Sequence, residues 1–595
     1  MTDNARWVPA SPLESSVYYP GFQPCVKVLP KELVHKKGHL SLPCDILFEQ
    51  DLEVPMRDGV RLYADVYRPP NAKLGTVPTV LAFSPFGKQG GPNRYNFDRR
   101  EWRCGVPRKI VSGLEVFEGP DPAYWCLHGY AIVCVDMRGT WNSDGNAVFP
   151  CADQGKDGYD TIEWIASQKW SNERVTMSGN SFLGATQWFV GAEQPPHLTC
   201  LAPWEGFNDM YNDQVRRGGD YSLQCIPDAG FASGLLLGDI SGKNSVEEII
   251  ETTQQNPHWN SYWQSRQANL KNIQVPLYVV ASWTNPLHTR GTLKGFIEAS
   301  SKEKWLRVHN SHEWPDLYEH KNVESLRSFY DYYMKDVRND WIFTPTVRLS
   351  ILGSNGRDIV NRPETSYPLI RQKPFQLFLN NDTMSLDRSA PQQSAKLSYA
   401  ATDGSAAFTY RIPSKMEFIG PSKLRLFVEA EGSDDMDVFI TLEKYNCSGK
   451  LQRSTVIDVG WLADDPENER QELIERNQRD PNFCGSYFNA GPTGQLRVSH
   501  RALDENLSTE FQPVYTHKKE QLIEAGEIVA ADVEIWPYGW SFEEGDVLHL
   551  QVSGFNPHPH LRPTDPRPIS RNKGNHILHS GAATASYLLL PLTAS

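Results

Sequence analysis

A serine flanked by glycines stands at a position suited to nucleophilic chemistry. The segment GNSFLG (179–184) follows the apolar run RVTM and precedes the helical pattern GATQWFVGA. A strand that turns sharply into a helix at such a point lifts the serine hydroxyl to the carboxyl edge of a sheet. The backbone N–H of Phe182 would then begin the helix and face a developing oxyanion. The segment therefore predicts Ser181 as the nucleophile of an acyl-transfer reaction.

A serine nucleophile needs a base, and three histidines follow later predicted strands. His288 ends the segment SWTNPLH after the run VPLYVVA, and His309 and His312 lie in HNSHEW after KWLRV. Where a serine stands on such a turn, the acid and the histidine follow it along the chain, each on a loop after a later strand. This order favours His312 as the base, with His309 and His288 as rivals.

The position expected for the acid carries an amide. Asn285 occupies it, in the loop SWTNPLH. An asparagine can orient an imidazole ring, but it has no charge with which to stabilise the imidazolium. Glu313 and Asp316 follow His312 directly and are the carboxylates that could replace the missing acid.

The order of predicted elements indicates an α/β core followed by a β-rich domain. Residues 1–48 show no clear periodicity and are interpreted as an N-terminal extension. Short apolar runs alternate with helical patterns over 49–205 and 273–345, which is typical of a parallel sheet. Residues 206–272 are polar and helical, and they predict a cap inserted into the core. From 346 to 595, short alternating segments separated by turn residues predict an all-β sandwich or jelly roll.

Several segments, in the same order, resemble the CocE/NonD-type family of cocaine esterase, cephalosporin acylases and X-prolyl dipeptidyl peptidases. The residues that carry the resemblance are MRDGVRLYADVYRPP, FSPFGK, VDMRGTWNSDG, the pattern D-x-x-D-x-x-x-W-I-A-x-Q-x-W, GNSFLGATQW and the ending ASYLLLP. Together they extend over nearly all of 49–595. The resemblance implies an α/β-hydrolase core with a helical cap and a C-terminal all-β jelly-roll domain, in agreement with the predicted elements.

The resemblance also implies roles for individual residues. The family nucleophile falls on Ser181 and the family histidine on His312, whereas the family aspartate falls on Asn285. A family tyrosine that joins the oxyanion hole falls on Phe86, in FSPFGK, which has no hydroxyl to donate. The chain therefore departs from the family at two positions of the catalytic apparatus.

These departures leave three functions open. In a serine protease, asparagine at the acid position lowers kcat by ~10⁴, and loss of one oxyanion donor costs about 10²–10³. The leading hypothesis is a serine hydrolase acting on an ester, lactone or amide bond of a small molecule. The first alternative is a repurposed hydrolase fold that catalyses a lyase, cyclisation or isomerisation step in small-molecule metabolism. The second alternative is a binding protein without turnover.

Aromatic residues near the start of the cap are candidates for the substrate pocket. Trp204, Phe207 and Tyr211 lie in APWEGFNDMY, directly after a predicted strand. Ligand pockets are commonly lined by such side chains, although core packing would use the same residues. We expect these three residues to line the pocket.

The composition excludes several classes of partner. The formal net charge is −13 and the chain has no long Lys/Arg run, which argues against nucleic acid and anionic membrane as partners. The sequence has no run that approaches 18 consecutive apolar residues, so we expect a cytoplasmic protein without a membrane span. Neither a metal-ligand cluster nor a phosphate-binding or dinucleotide loop is present, so no cofactor is expected. The expected partner is a small-molecule substrate, and homo-oligomerisation is left open.

Overall fold

The computed structural model describes residues 5–15, 19, 21–89, 106–219, 242–455, 488–489, 491–556 and 570–593. The strands described within the first 364 residues, numbered along the chain, are β1 (Trp7–Pro9), β2 (Cys25–Leu29), β3 (Ile46–Pro55), β4 (Arg61–Arg68), β5 (Val77–Ser84), β6 (Ala131–Asp136), β7 (Ser171–Asn180), β8 (Leu198–Trp204), β9 (Ser245–Glu247), β10 (Leu277–Ser282), β11 (Lys304–His309), β12 (Val347–Ile351) and β13 (Ile359–Glu364). Strands β1 and β9 pair with each other. The others form one sheet in the order β13-β12-β11-β10-β8-β7-β5-β6-β4-β3-β2.

The centre of this sheet is parallel and covered on both faces. The ladders that run from β6 through β5, β7, β8, β10 and β11 to β12 are parallel, and antiparallel ladders add the outer strands. Every residue of β5, β6 and β10 is buried. Their continuous apolar sequences are those expected of strands with helices on both sides. The predicted α/β-hydrolase core is confirmed.

The helices around the sheet are α1 (Pro122–Leu127), α2 (Ala152–Ala166), α3 (Phe182–Ala192), α4 (Ile249–Gln255), α5 (Ser261–Gln264), α6 (Thr289–Glu298), α7 (Glu313–Tyr318) and α8 (His320–Lys335). Helix α3 packs closely on α2, because a Cβ atom on Gly155 would lie only 2.7 Å from the Phe189 carbonyl oxygen. Ten residues of α3 are buried, from Phe182 to Gly191. This packing fixes the helix whose N-terminus follows Ser181.

The N-terminal segment is more ordered than its sequence predicted. Within the expected extension 1–48, β2 forms an edge of the core sheet by pairing with β3. Strand β1 pairs with β9, which lies in the segment predicted to be the cap. Trp7 of β1 lies opposite Glu247 of β9, far away in the sequence, so local periodicity did not reveal this pairing.

The cap segment between β8 and β10 combines short elements. Its described residues contain a π-helical turn (Met210–Val215), β9, α4 and α5. The helices agree with the prediction for 206–272, and β9 is an addition to it. Residues 220–241 of the predicted cap lie outside the described part of the chain.

Two strands that follow residue 346, the predicted start of the β-rich domain, belong to the core sheet. Strands β12 and β13 extend the core sheet, because β12 pairs in parallel with β11. The strands that follow are β14 (Gln372–Asn380), β15 (Ser385–Asp387), β16 (Ala395–Ala400), β17 (Ser405–Arg411), β18 (Met416–Glu431), β19 (Asp437–Tyr445), β20 (Ser454–Thr455), β21 (Phe488–Asn489), β22 (Thr493–Arg497), β23 (Val529–Phe542), β24 (Val547–Ser553), β25 (Asn575–Ser580) and β26 (Tyr587–Thr593). Strand β18 pairs with both β23 and β26, which closes nine strands into a barrel. The predicted all-β C-terminal domain is confirmed.

Candidate active site

Ser181 lies on a strained turn between β7 and α3. Its φ and ψ are 57° and −117°, a region that costs a residue other than glycine roughly 1–3 kcal/mol. Its N–H donates to the carbonyl oxygens of Trp204 and Glu205, each at 3.1 Å. A Cβ atom on Gly184 would lie 2.6 Å from the Trp204 carbonyl oxygen, so only glycine lets α3 approach β8 this closely. The turn predicted from GNSFLG is therefore held by its surroundings.

His288 is the histidine in contact with the serine. Its Nε2 lies 3.2 Å from the Ser181 Oγ, and its ring stacks on Phe207 with centroids 5.9 Å apart. The Nδ1 atom is buried and has no hydrogen-bond partner among the described residues. Burial lowers the pKa of His288 to about 3. The ring is therefore neutral at physiological pH, and stacking rather than a carboxylate orients it.

His312, which the sequence favoured as the base, caps helix α7. Its Nδ1 accepts a hydrogen bond from the Trp314 N–H at 3.3 Å, and its ring packs edge-on against the Trp314 indole. Burial and the neighbouring His309 lower the pKa of His312 to about 3. In the structure, His288 rather than His312 is therefore the histidine that contacts Ser181. A loop residue that also begins a helix turns one ring nitrogen towards its own backbone.

His309 is engaged by a carboxylate. Its Nε2 lies 2.5 Å from Glu205 Oε1 and 3.5 Å from Asp316 Oδ2. Glu205 directly follows β8, so it reaches the same edge of the sheet as the end of β11. His309 and Glu205 form a buried pair beside the turn that carries Ser181.

Asn285 joins two carboxyl groups and positions the His288 loop. Its Nδ2 donates to Glu205 Oε2 at 2.8 Å and to Glu313 Oε2 at 3.1 Å. Its Oδ1 accepts from the backbone N–H groups of Leu287 and His288. Both ends of the amide are thus occupied by groups other than the His312 ring. An aspartate here would have no N–H groups to donate to Glu205 and Glu313.

Neither expected substitute for the acid is hydrogen-bonded to His312 in the described structure. Asp316 is paired with the Arg307 guanidinium and accepts from the Trp204 indole N–H at 3.0 Å. Burial would raise the pKa of Asp316, but Arg307 and His309 bring it below its usual value. Glu313 contacts Asn285, and its Oε2 lies 3.9 Å from His288 Nε2. Of the two carboxyl groups, that of Glu313 is the one near His288, the histidine in contact with Ser181.

Glu118 adds another buried carboxyl group to the cluster beside the serine. Its Oε1 accepts from the Trp314 indole N–H at 2.8 Å. Burial raises the pKa of Glu118 to about 8, although the Trp314 indole N–H and the nearby Asn180 and Ser181 side chains oppose this. Burial, with Glu205 and Glu118 nearby, raises the pKa of Glu313 well above its usual value. The Ser181 site therefore contains a carboxyl group, that of Glu118, which keeps its proton at neutral pH.

The oxyanion side of the site is apolar at Phe86. Its ring is buried and packs edge-on against Phe117 and Phe182, with centroids 5.2 and 6.1 Å away. Phe182 begins α3, and the first N–H groups of a helix have no partner within the helix. This geometry agrees with an oxyanion donor at the Phe182 N–H and offers none from the Phe86 side chain.

The three aromatic residues expected in the pocket have different surroundings. Phe207 lies against His288 and so borders the site. Trp204 is buried in β8, with its indole bonded to Asp316. Tyr211 packs edge-on against Trp263, and its hydroxyl donates to a cap carbonyl group, that of Pro257. Of the three, only Phe207 places its side chain against the serine–histidine pair, while the side chains of Trp204 and Tyr211 serve the packing of the core and the cap.

Sequence reasoning did not identify Glu118 or Glu205. Glu205 follows directly after a buried parallel strand, which is a signal that could have marked it as a site residue. Glu118 lies in the segment GLEVFEGPDP, which has no periodicity from which its burial could be predicted. Within the described residues, no group of three or more His, Cys, Asp or Glu side chains is arranged to hold a metal ion. None of the described helices has the length and apolar character needed to cross a membrane.

The sequence matches two models of one protein family. Residues 58–234 match the X-Pro dipeptidyl-peptidase (S15 family) and residues 339–589 match the X-Pro dipeptidyl-peptidase C-terminal non-catalytic domain. Cocaine esterase from Rhodococcus sp. (strain MB1 Bresler) is 36% identical over 268 residues, which cover 39% of this chain and 42% of that protein. The match thus spans less than half the length of this curated relative.

Solved structures resemble the chain over nearly its whole length. A CocE/NonD family hydrolase from Staphylococcus aureus shares 30% identity and a TM-score of 0.80, covering 92% of this chain and 94% of that one. An α-amino acid ester hydrolase, 15% identical with a TM-score of 0.65 and covering 92% of this chain and 96% of that one, shares the fold. The chain belongs to the CocE/NonD family of hydrolases, to which the X-Pro dipeptidyl-peptidases are related.

Proposed function

We propose that this chain is a serine hydrolase that cleaves an ester or lactone bond of a small molecule, with Ser181 as nucleophile and His288 as base. The observation that carries the proposal is the 3.2 Å separation of Ser181 Oγ and His288 Nε2 at a strained strand-to-helix turn. A nucleophile and a base within about 2.6–3.2 Å are the geometric signature of an activated serine. Membership of a hydrolase family supports the same assignment.

The reaction follows from these two side chains. Ser181 Oγ bonds to the carbonyl carbon of the substrate while its proton passes to His288 Nε2. The tetrahedral oxyanion collapses, the bond to the leaving group breaks, and the imidazolium returns the proton to that group. Water then attacks the acyl-enzyme by the same route, and Ser181 regains its proton from His288. The Phe182 N–H donates to the oxyanion in both halves of the reaction.

The electrostatics of the base restrict the substrate class. An imidazole whose pKa is lowered to about 3 by burial is a weak base, and it gains little driving force from deprotonating serine. Its imidazolium is correspondingly a strong acid towards the leaving group. Electrophilic carbonyl groups, as in esters, lactones and thioesters, therefore suit the site better than amides. The expected partner is a small molecule of this kind.

A second candidate is a lyase, cyclisation or isomerisation step on the same fold. It is favoured by Asn285, whose amide is bonded to Glu205 and Glu313 rather than to a histidine ring. Such a reaction would use the site to move a proton without an acyl-enzyme. It predicts that Ser181→Ala keeps most of the turnover of the natural substrate, whereas the hydrolase proposal predicts its loss.

Labelling with a fluorophosphonate, followed by intact mass, tests the nucleophile and the base together. The wild type gains one adduct and Ser181→Ala gains none. In subtilisin, loss of the base costs ~10⁶, and about 10⁴ of a triad's rate is already absent when asparagine replaces aspartate. We therefore expect His288→Gln to label about 10²-fold more slowly than the wild type.

His312→Gln is the matched control, because it alters a second buried histidine of the same site. We expect it to label within about tenfold of the wild type, since its ring caps α7 rather than contacting Ser181. Melting temperatures of all variants show that each is folded. Loss of labelling in His312→Gln, with normal labelling in His288→Gln, would assign the base to His312 instead.

A further inference from the structure

We propose that the carboxyl group of Glu118 is the second hydrogen-bond donor to the oxyanion at Ser181. This inference rests on the hydrolase function proposed above. An oxyanion hole uses at least two donors, one from the residue after the nucleophile and one from the loop that follows an earlier strand of the sheet. The first is the Phe182 N–H. On the loop side, the Phe86 ring has no donor, and the polar side chain of Glu118 directly follows Phe117, which packs against that ring.

Glu118 lies on the loop side of the site. It belongs to the segment between β5 and β6, the same connection that carries Phe86. Its carbonyl oxygen accepts from the Asn180 N–H at 3.2 Å, and a Cβ atom on Gly179 would lie 2.9 Å from that oxygen. The backbone of Glu118 is therefore fixed against the end of β7, one residue before Ser181.

The side chain of Glu118 is committed at one oxygen and free at the other. Oε1 accepts from the Trp314 indole N–H at 2.8 Å. Oε2 is buried and makes no hydrogen bond of good geometry with any described residue, although the Asn180 and Ser181 side chains lie beside the carboxyl group. Because Oε1 is already an acceptor, a proton on this carboxyl group belongs on Oε2. An O–H group there has an unused donor next to the serine.

Burial, together with the nearby Glu205, keeps Glu118 protonated. The groups that face it are Ser181 and Asn180 at the end of β7, Glu205 after β8, and Glu313, Trp314 and Tyr318 of α7. Burial raises the pKa of Glu118 to about 8, and the nearby Glu205 acts in the same direction. A neutral carboxylic acid in an apolar site can donate to an oxyanion, as in ketosteroid isomerase. Below pH about 8 the donor is present, and above it the donor is lost.

Backbone conformation gives independent support. Glu118, Ser181 and Glu205 have φ angles of 65°, 57° and 47°, and the left-handed region is uncommon for residues other than glycine or asparagine. Such strain is found where the surrounding structure holds a side chain at a functional site. Three strained residues lie at this site, and two of them have buried carboxyl groups. This indicates that the surrounding structure holds the Glu118 side chain in a defined position.

The test compares Glu118→Gln with Glu118→Leu, using a chromogenic ester for turnover from pH 6 to 10. Glutamine has a similar shape and keeps an N–H donor at every pH, whereas leucine has none. We expect Glu118→Leu to lose about 10²–10³ in kcat. Glu118→Gln should lose less than about tenfold at pH 7, and it should not show the fall in kcat that the wild type shows as pH rises through about 8. Glu313→Gln alters another carboxyl group whose pKa is raised, and this variant should retain the fall in kcat.

Each outcome decides the inference. The inference would be overturned if Glu118→Gln kept the fall in kcat that the wild type shows above pH about 8. It would also be overturned if Glu118→Leu lost less than tenfold in kcat. An inactive Glu118→Gln, with wild-type activity that rises with pH, would make Glu118 a base and also refute the donor role. If Glu118→Leu does not fold, the pH profile of Glu118→Gln decides alone. Failure of Ser181 to react with the fluorophosphonate would instead refute the hydrolase function, which is a separate readout.

Discussion

Restoring an aspartate at position 285 should destabilise the protein and leave it no more active. The family resemblance suggests the opposite, because aspartate is the usual acid. In the structure, however, Asn285 Nδ2 donates to Glu205 Oε2 at 2.8 Å and to Glu313 Oε2 at 3.1 Å. Asn285→Asp replaces this nitrogen by an oxygen, so the hydrogen bond to Glu205 becomes a contact between two carboxyl oxygens.

Two routes to the energetic cost give similar values. Two unit charges 2.8 Å apart repel by about 6 kcal/mol at an effective dielectric constant of 20. The pair escapes this repulsion if the introduced carboxylate binds a proton, which at pH 7.5 costs about 5 kcal/mol for a group whose ordinary pKa is about 3.9. At pH 5 the same proton costs only about 1.5 kcal/mol. We therefore expect Asn285→Asp to lower the free energy of unfolding by about 5 kcal/mol at pH 7.5 and by about 1.5 kcal/mol at pH 5.

The assay is urea unfolding at both pH values, with ester turnover measured beside it. Asn285→Ala is the matched control, because it removes the same hydrogen bonds without adding a carboxylate. Its destabilisation should change much less between pH 5 and 7.5 than that of Asn285→Asp. The reasoning is refuted if Asn285→Asp raises kcat by 10² or more at unchanged stability, since that result would place residue 285 in an ordinary catalytic triad.

Three further predictions follow from burial and close packing. Because burial lowers the pKa of His288 to about 3, kcat/KM of the wild type should change less than about twofold between pH 5 and 7; a titration near pH 6.5 in the rate profile would contradict this. A Cβ atom on Gly184 would lie 2.6 Å from the Trp204 carbonyl oxygen, so Gly184→Ala should lower the free energy of unfolding by about 3 kcal/mol and slow fluorophosphonate labelling, and an unchanged melting temperature would disprove the close approach. Burial also lowers the pKa of His312 to about 3 and of His500 to about 4, so below pH about 6.5 these two rings bind more protons in the unfolded chain than in the folded one, and their contribution to stability decreases as the pH is lowered. The melting temperature of the double variant His312→Gln/His500→Gln, relative to that of the wild type, should therefore be higher at pH 5 than at pH 7, and an equal difference at both pH values would show that these rings are solvated.

The sequence predicted the core of the fold because its signals are local. The runs that form β5, β6 and β10 consist almost entirely of apolar residues, and each is followed by a loop or helix pattern. The turn at Ser181 was predicted for the same reason, since strand, glycine, serine and helix are consecutive. The pairing of β1 with β9 and the place of β12 in the core sheet depend on partners far away in the chain. No local pattern contains that information.

The assignment of the base shows how far the site could be predicted from the sequence. His288 and His312 both follow core strands, and the order of residues along the chain favoured His312. The structure brings His288 to Ser181 because Asn285 accepts the backbone N–H of His288 and the ring stacks on Phe207. Neither contact has a sequence signal. The carboxyl groups of Glu118 and Glu205 depend likewise on loops whose courses are set by tertiary packing.

The pairing of β1 with β9 has a consequence for biosynthesis. Trp7 lies opposite Glu247 in that ladder, so the partner of Trp7 is synthesised 240 residues after it. At translation rates of roughly 5–20 residues per second, the first strand waits about 12–48 s for its partner. During that time the core strands β3 to β8 can already assemble beside it. Strand β1 is therefore made before the core strands β3 to β8 and docks after they can assemble, and in docking it ties the cap to the N-terminal segment.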